Sequence, residues 1–103
     1  MIRHIVFFSA KQGEDVETIR DGLKELCTIP HSTLFEVTLN SKVDPMGNQI
    51  DVVVYAEFAD EAALAAYKAH SNYQLSIDLV RPIREMRMAA DYETDLAVKQ
   101  PLG

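Results

Sequence analysis

Hydrophobic and polar residues alternate along several short stretches of this chain and fall at helical spacing along others. Ile2–Phe8, "IRHIVFF", is rich in β-branched and aromatic residues and predicts a strand. Successive side chains of a strand point to opposite faces. One face then carries Ile2, His4, Val6 and Phe8, and the other Arg3, Ile5 and Phe7. "GEDVETIRDGLKELCTIP" predicts a helix, with Val16, Ile19, Leu23, Leu26 and Cys27 on one stripe and Pro30 at its end. "LFEVTLN" alternates Phe35, Val37 and Leu39 against polar neighbours and predicts a second strand with one dry face. Asp44-Pro45-Met46-Gly47 has the chemistry of a type I turn, and Ile50–Phe58, "IDVVVYAEF", predicts a third strand paired antiparallel with the second. "ADEAALAAYKAH" predicts a second helix capped by Asp60. A short helix capped by Ser71 and carrying Leu75, Leu79 and Val80 should follow, stopped by Pro82. Glu85–Glu93, "EMRMAADYE", reads as the last strand, so the domain spans 1–93 and residues 94–103 form a tail.

The order β-α-β-β-α-β is the α+β, ferredoxin-like split βαβ unit: a four-stranded antiparallel sheet with its helices on one face. That arrangement leaves Ile5, Phe7, Val53 and Tyr55 on the uncovered face. Monomers seldom expose an apolar patch of that size. The expectation is therefore a homodimer joined through the sheet faces, a dimeric α+β barrel.

Composition narrows the function classes. The 103 residues suit one domain, and the formal net charge of −6 comes without any run of like charge. A diffuse acidic surface argues against nucleic acid and anionic membranes, which need clustered Lys and Arg. No stretch approaches the roughly 20 apolar residues of a membrane span. The apolar run at the N-terminus is too short for a signal peptide and is interrupted by His4. Cys27 is the only cysteine, so no intrachain disulfide forms, and the cytoplasm is the expected location. The three His and the dispersed carboxylates lack zinc-ligand spacing, and the isolated glycines form no phosphate loop. Neither a metal nor a cofactor is expected.

"YKAHSNY", Tyr67–Tyr73, is the most suggestive stretch for chemistry. Residues three apart share a helix face, so Tyr67 and His70 can converge, while Tyr73 lies beyond the predicted helix end. Tyr hydroxyls donate to a developing oxyanion, and His titrates near neutrality and can move a proton. The plainer alternative has Tyr67 packed in the core, His70 at a helix C-terminus and Tyr73 covering an edge. His4, on an apolar strand face, is either a hydrogen-bonded core histidine or a polar group at the floor of a pocket. His31, in "TIPHST", is expected at the surface. Cys27 closes an apolar stripe and reads as a buried structural thiol. Arg81, Arg84 and Arg87 fall three apart, but Arg87 belongs to a strand, so the spacing does not carry through as one face. If Met86 and Met88 face the dimer partner, Arg87 faces the pocket and can receive a carboxylate; the opposite parity sends it to acidic groups across the dimer.

"MIRHIVFF", "EFADEAALAAYKAH" and "VRPIREMRMAADYE" together resemble the stress-responsive A/B barrel (Dabb) family over Met1–Glu93. The resemblance implies a dimeric α+β barrel with a pocket between helices and sheet. One plant member is a polyketide cyclase that closes a ring by an aldol-type reaction, using a Tyr late in the second helix and a His six residues on. Tyr67 matches that Tyr, His70 a further His of the same segment, and His4 another His lining the pocket. Tyr73 stands where the cyclase has its catalytic His, so the match fails at the base.

The resulting expectation is a small homodimeric protein binding an apolar or aromatic ligand. Ile2, Val6, Phe8, Leu23, Val52 and Val54 would form its dry wall, and His4, Tyr67, His70 and Tyr73 its polar contacts. The alternatives are a cofactor-independent enzyme, cyclase-like or monooxygenase-like, with His4, Tyr67 and Tyr73 as catalytic candidates, or a structural stress-response protein.

Overall fold

The computed structural model describes residues 1–101. Its strands are β1 (Ile2–Ala10), β2 (Leu34–Leu39), β3 (Val52–Phe58) and β4 (Arg84–Glu93), and its helices α1 (Val16–Leu23), α2 (Glu61–Ala69) and α3 (Ser71–Val80). The sheet order is β2-β3-β1-β4 with every neighbour antiparallel. This is the ferredoxin-like arrangement expected from the alternation and periodicity of the sequence.

Strand parity decides what is dry. On β1 and β3 the residues Ile2, His4, Val6, Phe8, Val52, Val54, Ala56 and Phe58 are buried beneath the helices, while their alternating neighbours are half-buried on the opposite face. Register sets His4 opposite Asp91, and Phe8 opposite Arg87. On the other face, Ile5 lies between Tyr55 and Ala90, and Phe7 between Val53 and Met88. The β1–β4 register shifts between Phe8 and Ala10, where the Ser9 hydroxyl accepts the Met86 N–H at 3.0 Å. Nearby, Asp51 accepts from the Ala10 N–H at 2.8 Å and from Lys42 Nζ at 2.6 Å, while its own N–H donates to Phe8 O. It thereby ties the β2–β3 connection to β1.

Two expectations about the helices change. The first helix becomes a 3₁₀ turn at Lys24–Thr28. Three residues per turn line up Leu23, Leu26 and Ile29, all buried, and rotate Cys27 off the stripe. Cys27 is exposed, although partial desolvation still pushes its thiol pKa up. The third helix is ten residues long and is capped by His70 rather than Ser71. Its inward face carries Tyr73, Ser76 and Val80, whereas Leu75 and Leu79 are 42% and 48% exposed. Gly22 explains that orientation: a Cβ there would meet Val80 Cγ2 at 2.7 Å, so α1 and α3 touch at this point and turn Val80 inward.

Asp60 caps α2 as expected, accepting the Ala63 N–H at 2.8 Å. Thr94 is buried, and both its N–H and its hydroxyl donate to Met1 O. The last two residues of the expected tail, 102–103, lie outside the described residues.

Candidate functional site

A cavity of about 400 Å³ lies between the sheet, α1 and α3. Val6 and Phe8 of β1, Val54 of β3 and Leu23 of α1 form its apolar wall, and His4, Tyr67 and Tyr73 supply polar ring atoms. Strand parity delivers the β1 and β3 residues, because all of them belong to the helix-covered face. Ile2 and Val52, expected on that wall, are core residues that do not line the cavity.

The helical spacing of Tyr67 and His70 misplaces one of them. His70 has φ −69° and ψ 143°, an extended residue between two helices. Its Nδ1 accepts the Asn72 N–H at 3.1 Å to cap α3, and its ring stands edge-on to His31 at 6.2 Å. The helix ends before the i, i+3 relation is completed, so His70 turns away and does not line the cavity. The break at His70 brings in Tyr73 instead: from the first turn of α3 its ring packs against Tyr67 at 5.3 Å between centroids.

Tyr67 is 1% exposed, and Phe58 lies 4.9 Å from it, ring to ring. Its hydroxyl has no hydrogen-bond partner among the described residues. Burial raises its pKa well above the ordinary tyrosine value, with the Tyr73 hydroxyl adding to the rise and the positive charge of Arg87 opposing it. Tyr67 is therefore a neutral phenol at any physiological pH, a donor rather than a base.

His4 satisfies both of its expected descriptions. It is 1% exposed and stands edge-on to Phe58 and Tyr67 at 6.1 and 6.2 Å. Its Nδ1 bonds to the Asp91 carboxylate, and the same ring borders the cavity. Asp91 carries no signal of this role in the sequence, because it lies 87 residues away and only strand pairing joins the two.

Of the two parities open to Arg87, β4 takes the one that faces it to the cavity. Arg87 shares the helix-side parity of Ala89 and Asp91, while Met88 lies on the opposite face and is 59% exposed. Arg81, Arg84 and Arg87 all line the cavity, together with Lys68. The three arginines share one rim because the chain turns through Arg81–Ile83, between the end of α3 and the start of β4. No single face of a helix or strand is required.

The model of the Stress responsive A/B Barrel Domain matches residues 2–94. The chain belongs to this family. No curated protein matches its sequence. Among solved structures, a Dabb family protein with a ferredoxin-like fold from Mesorhizobium loti is 29% identical, with 99% of this chain and 97% of that one covered and a TM-score of 0.68. A dimeric ferredoxin-like protein of unknown function from Thermobifida fusca is 22% identical, with 88% of each chain covered and a TM-score of 0.75. A candidate antibiotic biosynthesis monooxygenase from Nitrosomonas europaea is 23% identical, with 90% and 97% covered and a TM-score of 0.70. The last two share the fold. Among the described residues, no helix of this A/B barrel protein is long and apolar enough to cross a membrane.

Proposed function

We propose that this A/B barrel protein is a homodimeric, cytoplasmic small-molecule-binding protein that holds an apolar or aromatic ligand between helices and sheet. One observation carries the reading: the hydroxyl-bearing rings of Tyr67 and Tyr73 border a cavity with an aliphatic and aromatic wall of Val6, Phe8, Leu23, Leu26, Val54 and Val80. A few polar hydroxyls set in an otherwise apolar wall are what fix the orientation of a bound small molecule. Native mass spectrometry of protein purified from its own cells tests this directly. A bound small molecule is expected. A protein with no adduct and no thermal shift against a panel of aromatic acids and phenols refutes the reading.

The dimer rests on the uncovered sheet face. Ile5, Phe7, Val53, Tyr55, Met88 and Ala90 form two adjacent rows there. At one end Arg3, Glu57 and Tyr92 make a polar border, with Arg3 Nη1 donating to the Tyr92 hydroxyl at 3.2 Å. Burial of this centre against its copy, behind a polar rim, is the composition of a stable interface. The Thermobifida fusca neighbour is itself described as dimeric. Phe7→Glu should convert a dimer of 11.6 kDa subunits to monomers in sedimentation, and an unchanged dimer would refute this interface.

A second reading is favoured by the His4–Asp91 contact. A carboxylate on Nδ1 fixes the tautomer and leaves Nε2 as the acceptor, so His4 can take a proton from carbon next to a carbonyl. The electron pair moves onto the carbonyl oxygen, which accepts the Tyr67 O–H. In this reading the protein is a cofactor-independent enzyme, with Asp91 positioning the base. Once a ligand is known, His4→Ala should abolish exchange of its acidic C–H with solvent deuterium while binding persists. Undiminished exchange would refute the role of His4.

A further inference from the structure

The cavity is far more basic than the chain around it. The sequence has 16 acidic and 10 basic residues, yet Lys68, Arg81, Arg84 and Arg87 all line this one cavity, and no Asp or Glu does. Among the described residues none of the four forms an ion pair; the salt bridges involve Arg3, Arg20, Lys42, His4 and the N-terminus. Helix ends account for part of the pattern. Lys68 is in the last turn of α2 and Arg81 closes α3, its N–H donating to Ile77 O, where a cation meets the negative end of the helix dipole. Arg84 and Arg87 serve no helix end. They lie on β4, opposite Ala10 and Phe8, on the face that otherwise packs apolar core. Lys68, Arg81 and Arg87 are exposed and Arg84 is half-buried, so like charges share one rim, and an anion entering there is attracted by all four.

Resting on the binding function argued above, we propose that the ligand is an anionic amphiphile: its apolar or aromatic body lies on Val6, Phe8 and Val54, and its carboxylate or phosphate head is held by Arg84 and Arg87, with Lys68 and Arg81 nearby. A guanidinium presents paired N–H donors that match either head in a bidentate fork. Tyr67 and Tyr73 then donate to polar groups on the body of the ligand, deeper than the cationic rim. A neutral ligand of the same shape would fill the wall and gain nothing from the cations.

Isothermal titration with 2-naphthoate, 2-naphthyl phosphate and neutral 2-naphthamide separates the possibilities. At least one anion should bind about tenfold or more tightly than the amide, the size of a charge-assisted hydrogen bond. Whichever anion binds better identifies the head. The preference should shrink at high salt. It should also largely disappear in Arg84→Gln/Arg87→Gln, the anions losing at least about fivefold more affinity than the amide. Lys24→Gln, an exposed lysine outside the cavity, controls for net charge and should keep the preference. If the amide binds as tightly as both anions, or the double variant keeps the preference, the anionic-head inference is overturned and the binding function stands. If none of the three binds to protein shown to be folded by circular dichroism, the binding function falls and the inference falls with it.

Discussion

Replacing Tyr67 by Phe and by Ala separates what its ring does from what its hydroxyl does. The ring is the largest fully buried side chain of the protein. Its centroid lies 4.9 Å from Phe58, 5.3 Å from Tyr73, 6.2 Å from His4 and 6.5 Å from Phe35. Phe preserves all four contacts. The hydroxyl has no partner among the described residues, so Tyr67→Phe breaks no hydrogen bond within the protein. An unpaired buried hydroxyl costs about 1–3 kcal/mol on mutational scales. This one borders a cavity and keeps part of its solvation, so the expected change is a gain of about 0–1 kcal/mol. Urea unfolding at fixed protein concentration reads it as an unchanged or higher midpoint, by at most about 1 M for a chain of this size. Tyr67→Ala removes the ring as well and should cost about 3–5 kcal/mol, a large part of the stability of a small domain. Ligand affinity should fall in both variants. If Tyr67→Phe lowers stability by about 1 kcal/mol or more, the hydroxyl is bonded inside the protein and its assignment to ligand is wrong.

Other perturbations probe the frame around the site. Gly22→Ala places a Cβ against Val80 and pushes α3 from α1, so a loss of about 1–3 kcal/mol is expected in thermal or urea unfolding, and an unchanged midpoint would show that the contact is loose. Asp91→Ala leaves His4 Nδ1 without its partner and should cost about 1–3 kcal/mol by the same assay, more than Asp91→Asn, whose amide oxygen can still accept. Burial alone would raise the Asp51 carboxyl pKa, but hydrogen bonds from Lys42 and the Ala10 N–H outweigh it and leave it below the ordinary aspartate value. A depressed pKa contributes stability above the unfolded pKa that is lost as pH falls through the folded one. Asp51→Asn should therefore cost about 1 kcal/mol at neutral pH, and the difference from wild type should close below about pH 4.

Much of the architecture was legible because short-range patterns report it. β-Branched and aromatic residues in Ile2–Phe8 and alternation in Leu34–Leu39 mark strands, and the spacing of Val16, Ile19 and Leu23 marks a helix. The apolar parity of Ile5, Phe7, Val53 and Tyr55 marked a face that needs cover. Val6, Phe8, Leu23, Val54, His4 and Tyr67 were named from the same patterns, and all of them border the cavity. Legibility failed wherever a local regularity was interrupted. Helical spacing set His70 on the face of Tyr67 and placed Tyr73, also a candidate, beyond the helix end, yet one extended residue, His70 itself, turns His70 away and brings Tyr73 to the cavity. A 3₁₀ turn likewise moved Cys27 from the stripe to the surface.

Periodicity along the chain thus determined the elements, their order and the faces they bury, since these depend on neighbours one to four residues away. Only the tertiary structure decided which polar groups meet. The His4–Asp91 contact depends on β1–β4 register, and the position of Arg87 depends on the parity of β4. The gathering of Lys68, Arg81, Arg84 and Arg87 depends on where two helix ends and one strand come to rest around a cavity. Contacts between residues far apart in sequence carry no local period, so folding alone reveals them.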